Sequence, residues 1–218
     1  HRSGHSFPTR RSSDLNVTIL RGPASSLYGN SSGGVIQIKT LSNFDKNFIR
    51  FRMQGGSFGY SLAQFIAGWK NDKTNILIFQ NLSHSNGFRE FSSSRQGIFN
   101  AKITHEFSDK SKFNFQFNYT NSPYAYDPGG LNLEEVNKDY NQARKRNIDF
   151  DTFESIKHIK AGLNWEKKLS PKMILGTYFF SAHRDFEGKL PFEYGGFINL
   201  KRNYRSEERR VGKECPLL

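Results

Sequence analysis

The chain contains one cysteine, Cys215, with two methionines and seven prolines in 218 residues. A lone thiol closes no disulfide within the chain and builds no cysteine metal cage. No stretch approaches the roughly 20 consecutive apolar residues of a membrane-spanning helix. A chain of this kind enters a bilayer only through strands closed into a barrel. The four histidines beyond residue 15 are dispersed, and none of them pairs with another at the spacing of metal ligands. The stretch beginning at His105 (HEFSD) lacks the second histidine of a zincin, and the glycines around Gly33 lack the directly following Lys-Ser/Thr and helix of a phosphate loop. Neither a catalytic constellation nor a cofactor is expected.

What the chain has in quantity is aromatic side chains. There are 21 Phe and 9 Tyr, against a mean hydropathy of −0.69 and a formal net charge of +12. An antiparallel sheet with one wet face and one apolar face reconciles strong polarity with heavy aromatic content. Lys112–Asn121 (KFNFQFNYTN) shows the pattern: Phe113, Phe115, Phe117 and Tyr119 alternate with Asn114, Gln116, Asn118 and Thr120, the period of a β-strand.

The two ends have a different origin. Arg205–Cys215 (RSEERRVGKEC) can be back-translated to a DNA whose reverse complement, one frame over, encodes His5–Leu15 (HSFPTRRSSDL). That DNA resembles a common sequencing adapter. Residues 1–15 and 205–218 are therefore expected to be adapter-derived and are set aside, as a fusion scar would be. They hold seven Lys/Arg, four Asp/Glu and the only cysteine. The remainder is still basic, with its charges scattered rather than run together.

About seven strands are expected after Thr40: Asn47–Gly55, Ser61–Lys70, Asn75–Ser83, Ile98–Phe107, Lys112–Thr120, Ser155–Glu166 and Met173–Ala182, after which the chain runs out in loop. Asn75–Ser83 is apolar on both faces near its start, so its orientation stays open. The connections at Asn71–Thr74, Ser108–Ser111 and Lys167–Lys172 are short; those at His84–Arg95 and Asn121–Asp151 are long. Short turns at one rim and long loops at the other mark an outer-membrane barrel. Trp69, Phe107, Phe113 and Trp165 cluster beside the short turns, as an interfacial aromatic girdle would. A solvated meander or sandwich, a passive porin and a soluble nucleic-acid module are the competing classes. The last needs Lys/Arg clustered among exposed aromatics, whereas here the aromatics lie opposite the charges.

Ile19–Thr40 (ILRGPASSLYGNSSGGVIQIKT) is of another kind: glycine-rich turns, then a short strand over Val35–Lys39. The run Arg21-Gly22-Pro23, then Tyr28-Gly29, then Gly33-Gly34 leading into an alternating strand resembles the end of the plug domain of TonB-dependent outer-membrane receptors. Val17-Thr18-Ile19 departs from the acidic residue that the family often carries there. Pro123–Asn147, with its Asp127-Pro128-Gly129 segment, resembles an early extracellular loop of the iron-transporting branch.

The resemblance implies an all-β fold: a partial transmembrane antiparallel barrel of about seven strands (residues 41–204), preceded by the C-terminal piece of a plug (16–40). The intact barrel would have about 22 strands around a plugged lumen. It further implies residence in the bacterial outer membrane and import of a metal chelate, foremost a ferric siderophore, with energy from TonB. The expected partners are outer-membrane lipid, the TonB complex through a segment outside this chain, and the chelate or other nutrient, with no nucleic acid. Arg21, Gly22, Pro23, Tyr28, Gly29, Gly33 and Gly34 carry the structural plug motif. In the long loop, Tyr124 and Tyr126 are candidates to stack on a chelate, and Arg144, Lys145 and Arg146 to attract an anionic one. That loop also holds six acids, which argues against strong anion selectivity.

Overall fold

The computed structural model describes residues 14–22, 33–41, 44–171 and 173–213. Pro23, Tyr28 and Gly29 of the plug-like motif lie outside the described residues. The chain divides into two compact units, residues 1–44 and 45–218.

In the first unit β1 (Asp14–Arg21) and β2 (Gly34–Thr40) form an antiparallel hairpin. The register sets Val17 opposite Ile38 and Ile19 opposite Ile36. All four side chains are more than half exposed. A lone two-stranded hairpin is at best marginal in water, so this apolar stripe requires a covering surface. Gly34 is obligatory beside Arg21: its φ is +134°, and a Cβ there would sit 2.5 Å from the Leu20 carbonyl oxygen.

The second unit is one antiparallel meander of eight strands. In chain order they are β3 (Phe48–Gly56), β4 (Tyr60–Lys70), β5 (Thr74–Ser85), β6 (Ser94–Ser108), β7 (Ser111–Tyr126), β8 (Phe153–Ser170), β9 (Met173–Lys189) and β10 (Phe197–Lys213). Each pairs only with its sequence neighbours, which leaves β3 and β10 as edges. The sequence predicts about seven strands and loop after Ala182; the structure instead carries β9 on to Lys189 and adds β10. His183–Glu187 is polar or charged at four of its five positions. The hydrophobic period therefore fades there, while the backbone ladder, which needs only N–H and C=O groups, continues. The connections alternate as expected. Residues 71–73, 109–110 and 171–172 join strands at one end, and 57–59, 86–93, 127–152 and 190–196 join them at the other.

The longest connection is a folded body rather than open chain. It contains α1 (Leu133–Lys138), closed by an Asn132–Glu135 capping box, and the short α2 (Lys145–Asp149). Asn147 and Thr152 are almost wholly buried. Asn147 Nδ2 donates to both the backbone oxygen and Oδ2 of Asp127, and Thr152 Oγ1 donates to the Asp127 and Asn147 carbonyls. Arg89, from the 86–93 connection, donates to the carbonyls of Gln142, Gly129 and Pro128 at 2.7–3.2 Å. The Glu90 amide adds a bond to Asn141. A guanidinium fork spanning three carbonyls ties the two loops together. Gly129 has φ +70°, and a Cβ there would meet Asn147 Oδ1 at 2.5 Å.

Gly129→Ala is therefore expected to destabilise this loop body locally by about 1–3 kcal/mol, and Arg89→Met to loosen both loops together. Amide hydrogen exchange is the measurement. Exchange should accelerate at least roughly fivefold over 127–152 in the glycine variant, and over 86–93 as well in the arginine variant, with β5–β8 unchanged. Unaltered loop exchange in both variants refutes the clasp.

Candidate functional site

Because paired residues in a sheet point to the same side, the register defines two faces. One carries Trp69, Ile76, Ile103, Phe115 and Leu163 in a single row across β4–β8. Phe117 pairs with Ala101 and Ala161 in the next row. The orientation of β5, open in the sequence, resolves with Ile76 and Ile78 on this face. The other face carries Asn114, Gln116, Asn118 and Thr120 of β7, opposite Thr104, Lys102, Asn100 and Ile98 of β6. Its amides and hydroxyls bond across strands: Thr104 Oγ1 donates to Asn114 Oδ1 at 3.0 Å, and Asn118 Nδ2 to Asn100 Oδ1 at 2.6 Å. The polar face is mixed on β4 and β5, where Ile66 and Leu77 are buried.

Beside the short turns the apolar face ends in rings. Trp165 pairs with Phe113, and its Nε1 donates to Ser111 Oγ at 3.0 Å. His105, Phe107 and Phe113 stand edge to face in sequence, with centroids 4.6 and 6.4 Å apart. Trp69 and Phe107 are about half exposed. Aromatic rings gathered at a common height, with the Trp165 indole N–H bonded, suit the boundary between an apolar and an aqueous medium.

Tyr124 and Tyr126, expected in a loop, lie on β7. A bulge between Ser122 and Ala125 inserts a residue that breaks the alternation, which hides the strand's continuation in the sequence. The two rings stack at 5.4 Å, and Phe91 lies 4.8 Å from Tyr126. Tyr124 pairs with Arg95, in line with His84. By register both tyrosines continue the aromatic face, not the amide face. Arg144 caps α2, and its amide donates to the Pro128 carbonyl. Lys145 pairs with Asp149 at 3.1 Å, and Arg146 stacks on Phe150 at 5.8 Å. All three cations are exposed. The side chains of Tyr124, Tyr126, Lys145 and Arg146 thus have local partners, whereas Arg144 is held through its backbone amide. Arg21 is exposed at the end of β1. Among the described residues no three His, Cys, Asp or Glu side chains gather as a metal site.

A cluster that the sequence reading does not single out lies on the polar face. Thr120, His158, Arg184 and Arg202 are successive partners across β7–β10, and Lys160 flanks His158 in the row that runs from Asn118 to Tyr204. Arg184 also stacks on Phe186 at 5.7 Å. The signal was present as alternation, but with β9 ended at Ala182 neither arginine could be assigned to a face.

No family model matches the chain. Among solved structures, the chain is similar to that of the ferric citrate transporter FecA in its unliganded form, with 20% identity and a TM-score of 0.70. The likeness covers 89% of this chain and 30% of that one, so the chain spans under a third of the length of the structure it matches. At this identity the likeness is one of fold: the eight-stranded meander is a partial antiparallel β-barrel.

Proposed function

We propose that the chain is a section of a bacterial outer-membrane receptor of the TonB-dependent kind. In this reading residues 16–40 are the end of its plug and 41–204 the first part of its barrel wall. The intact receptor binds a metal chelate, an iron complex foremost, and imports it with energy delivered by the TonB complex. This section alone, with two open edges, does not transport.

The observation that carries the reading is the two-faced register. Rows of Trp, Ile, Phe and Leu on one side of β4–β8 face lipid, and the amides and cations on the other face a wet lumen. The short turns then lie at the periplasmic rim, and the folded loop body at the outer one. The exposed stripe Val17, Ile19, Ile36 and Ile38 suits a hairpin that packs inside a larger plug. The transporter with the similar fold is named for ferric citrate, which favours an iron chelate as cargo. No covalent step is required of any residue.

Residues 1–15 and 205–218 we assign to adapter sequence rather than receptor. Amplification from source DNA across Leu15–Asn16 and Tyr204–Arg205 should yield receptor sequence continuing outward on both sides. Recovery of the same tails from unprocessed DNA overturns the assignment.

The membrane wall is tested by Phe115→Arg and Gln116→Arg in the intact receptor, folded into lipid vesicles and titrated with denaturant. An arginine on the lipid face costs roughly 2–4 kcal/mol near the bilayer midplane, whereas one on the wet face costs little. Phe115→Arg should lose about that amount of stability and Gln116→Arg almost none. Equal effects, or a harmless Phe115→Arg, refute the wall. The transport role is tested by deleting the intact gene and following radiolabelled iron uptake under iron limitation. Uptake of every supplied chelate at the wild-type rate argues against it.

A further inference from the structure

Resting on that reading and deepening it, we propose that His158, Lys160, Arg184 and Arg202 form a lumen-wall binding site for a polyanionic solute: a polycarboxylate or phosphate, free or wrapped around a metal.

Directly paired positions on neighbouring strands lie about 4.7–5.5 Å apart, and the register makes Arg184 the partner of both His158 and Arg202. Arg184 and Arg202 are like charges in directly opposed positions, which destabilise a sheet. A wall accepts that repulsion where something else neutralises it. Among the described residues the ion pairs are Lys112–Glu106, Lys145–Asp149 and Lys201–Asp185, and none involves this cluster. The polar-face positions of β9, and those of β10 from Ile198 to Tyr204, carry no acid. On β8 the nearest acid of that face is Glu154, four residues from His158. Residues 16–40 contain no Asp or Glu and add Arg21 and Lys39, so this piece of the plug cannot supply the counter-charge. Among the described residues no acid is paired with the cluster, and a bound anion would supply the compensating charge.

The surroundings suit such a guest. Tyr178 and Tyr204 border the cluster, with Gln116 and Asn118 on its β7 side. Hydroxyl and amide groups can complete hydrogen bonds to carboxylate or phosphate oxygens. The stacking of Arg184 on Phe186 holds its planar fork, the geometry that favours two-point binding of such oxyanions.

The test uses the intact receptor in detergent with ferric citrate, citrate, inorganic pyrophosphate and an uncharged ferric trihydroxamate as probes, read by isothermal titration. Arg184→Gln and Arg202→Gln should each weaken one or more of the anionic probes roughly tenfold, and the double variant about a hundredfold. The salt dependence should flatten as charges are removed, with no change for the uncharged chelate. Citrate and pyrophosphate separate a carboxylate site from a phosphate site. Retained heat-modifiable migration in the variants shows that the barrel still folds. The proposal is overturned if wild type binds no anionic probe at millimolar concentration, or if the double variant binds them as wild type does. It is also overturned if affinity holds while ion conductance through the reconstituted receptor rises, since the cluster then seats another part of the protein. An intact protein without heat-modifiable migration sinks the receptor reading itself, and this inference with it.

Discussion

Pairing register is the constraint on which the rest of this structure depends. Seven antiparallel ladders join eight strands, and a slip of one residue in any of them would exchange the side chains of a strand between the two faces. Phe113, Phe115, Phe117 and Tyr119 would then join the row of amides, and Asn114, Gln116 and Asn118 the row of rings. Both arrangements satisfy the backbone equally. Only side-chain chemistry separates them, so the alternation along β7 and its match to Ile103, Ala101 and Phe99 on β6 select the fold.

The same register explains where the sequence was legible. The half of β7 near its short turn alternates strongly, and its expected start at Lys112 is one residue from that found. The expected β8 starts at Ser155, two residues from that found, but ends at Glu166, four short of Ser170. Beyond Thr120 on β7 and Ala182 on β9 the period-two signal fades, and nothing local distinguishes strand from loop. Tyr124 and Tyr126 fall in the expected loop for this reason, compounded by Pro123 and the bulge after Ser122. The loop body was unreadable for a different reason. Arg89 meets Gln142 across 53 residues, and no local pattern announces a contact of that range.

The candidate site shifts accordingly. Sequence reasoning favours exposed loop residues, because a long loop with aromatics and cations stands out in a linear text. In three dimensions Lys145 and Arg146 are engaged by neighbours on their own short helix and loop, whereas Arg184 and Arg202 come from separate strands and meet only through pairing. A binding surface assembled across strands leaves almost no trace in any one segment. What it leaves is a charge imbalance on one face, visible once the faces are assigned.

The unequal rims carry an evolutionary consequence. Closing a flexible connection costs roughly 0.6 kcal/mol more for each doubling of its length, so the rim holding residues 86–93 and 127–152 can lengthen or be replaced at little thermodynamic expense. At the opposite rim Asp109–Lys110 is a two-residue hairpin link whose geometry also sets the offset of β6 against β7, and an insertion there would disturb every row. Diversity among related chains should therefore gather at one end of the strands, as interchangeable fittings on a standardised thread.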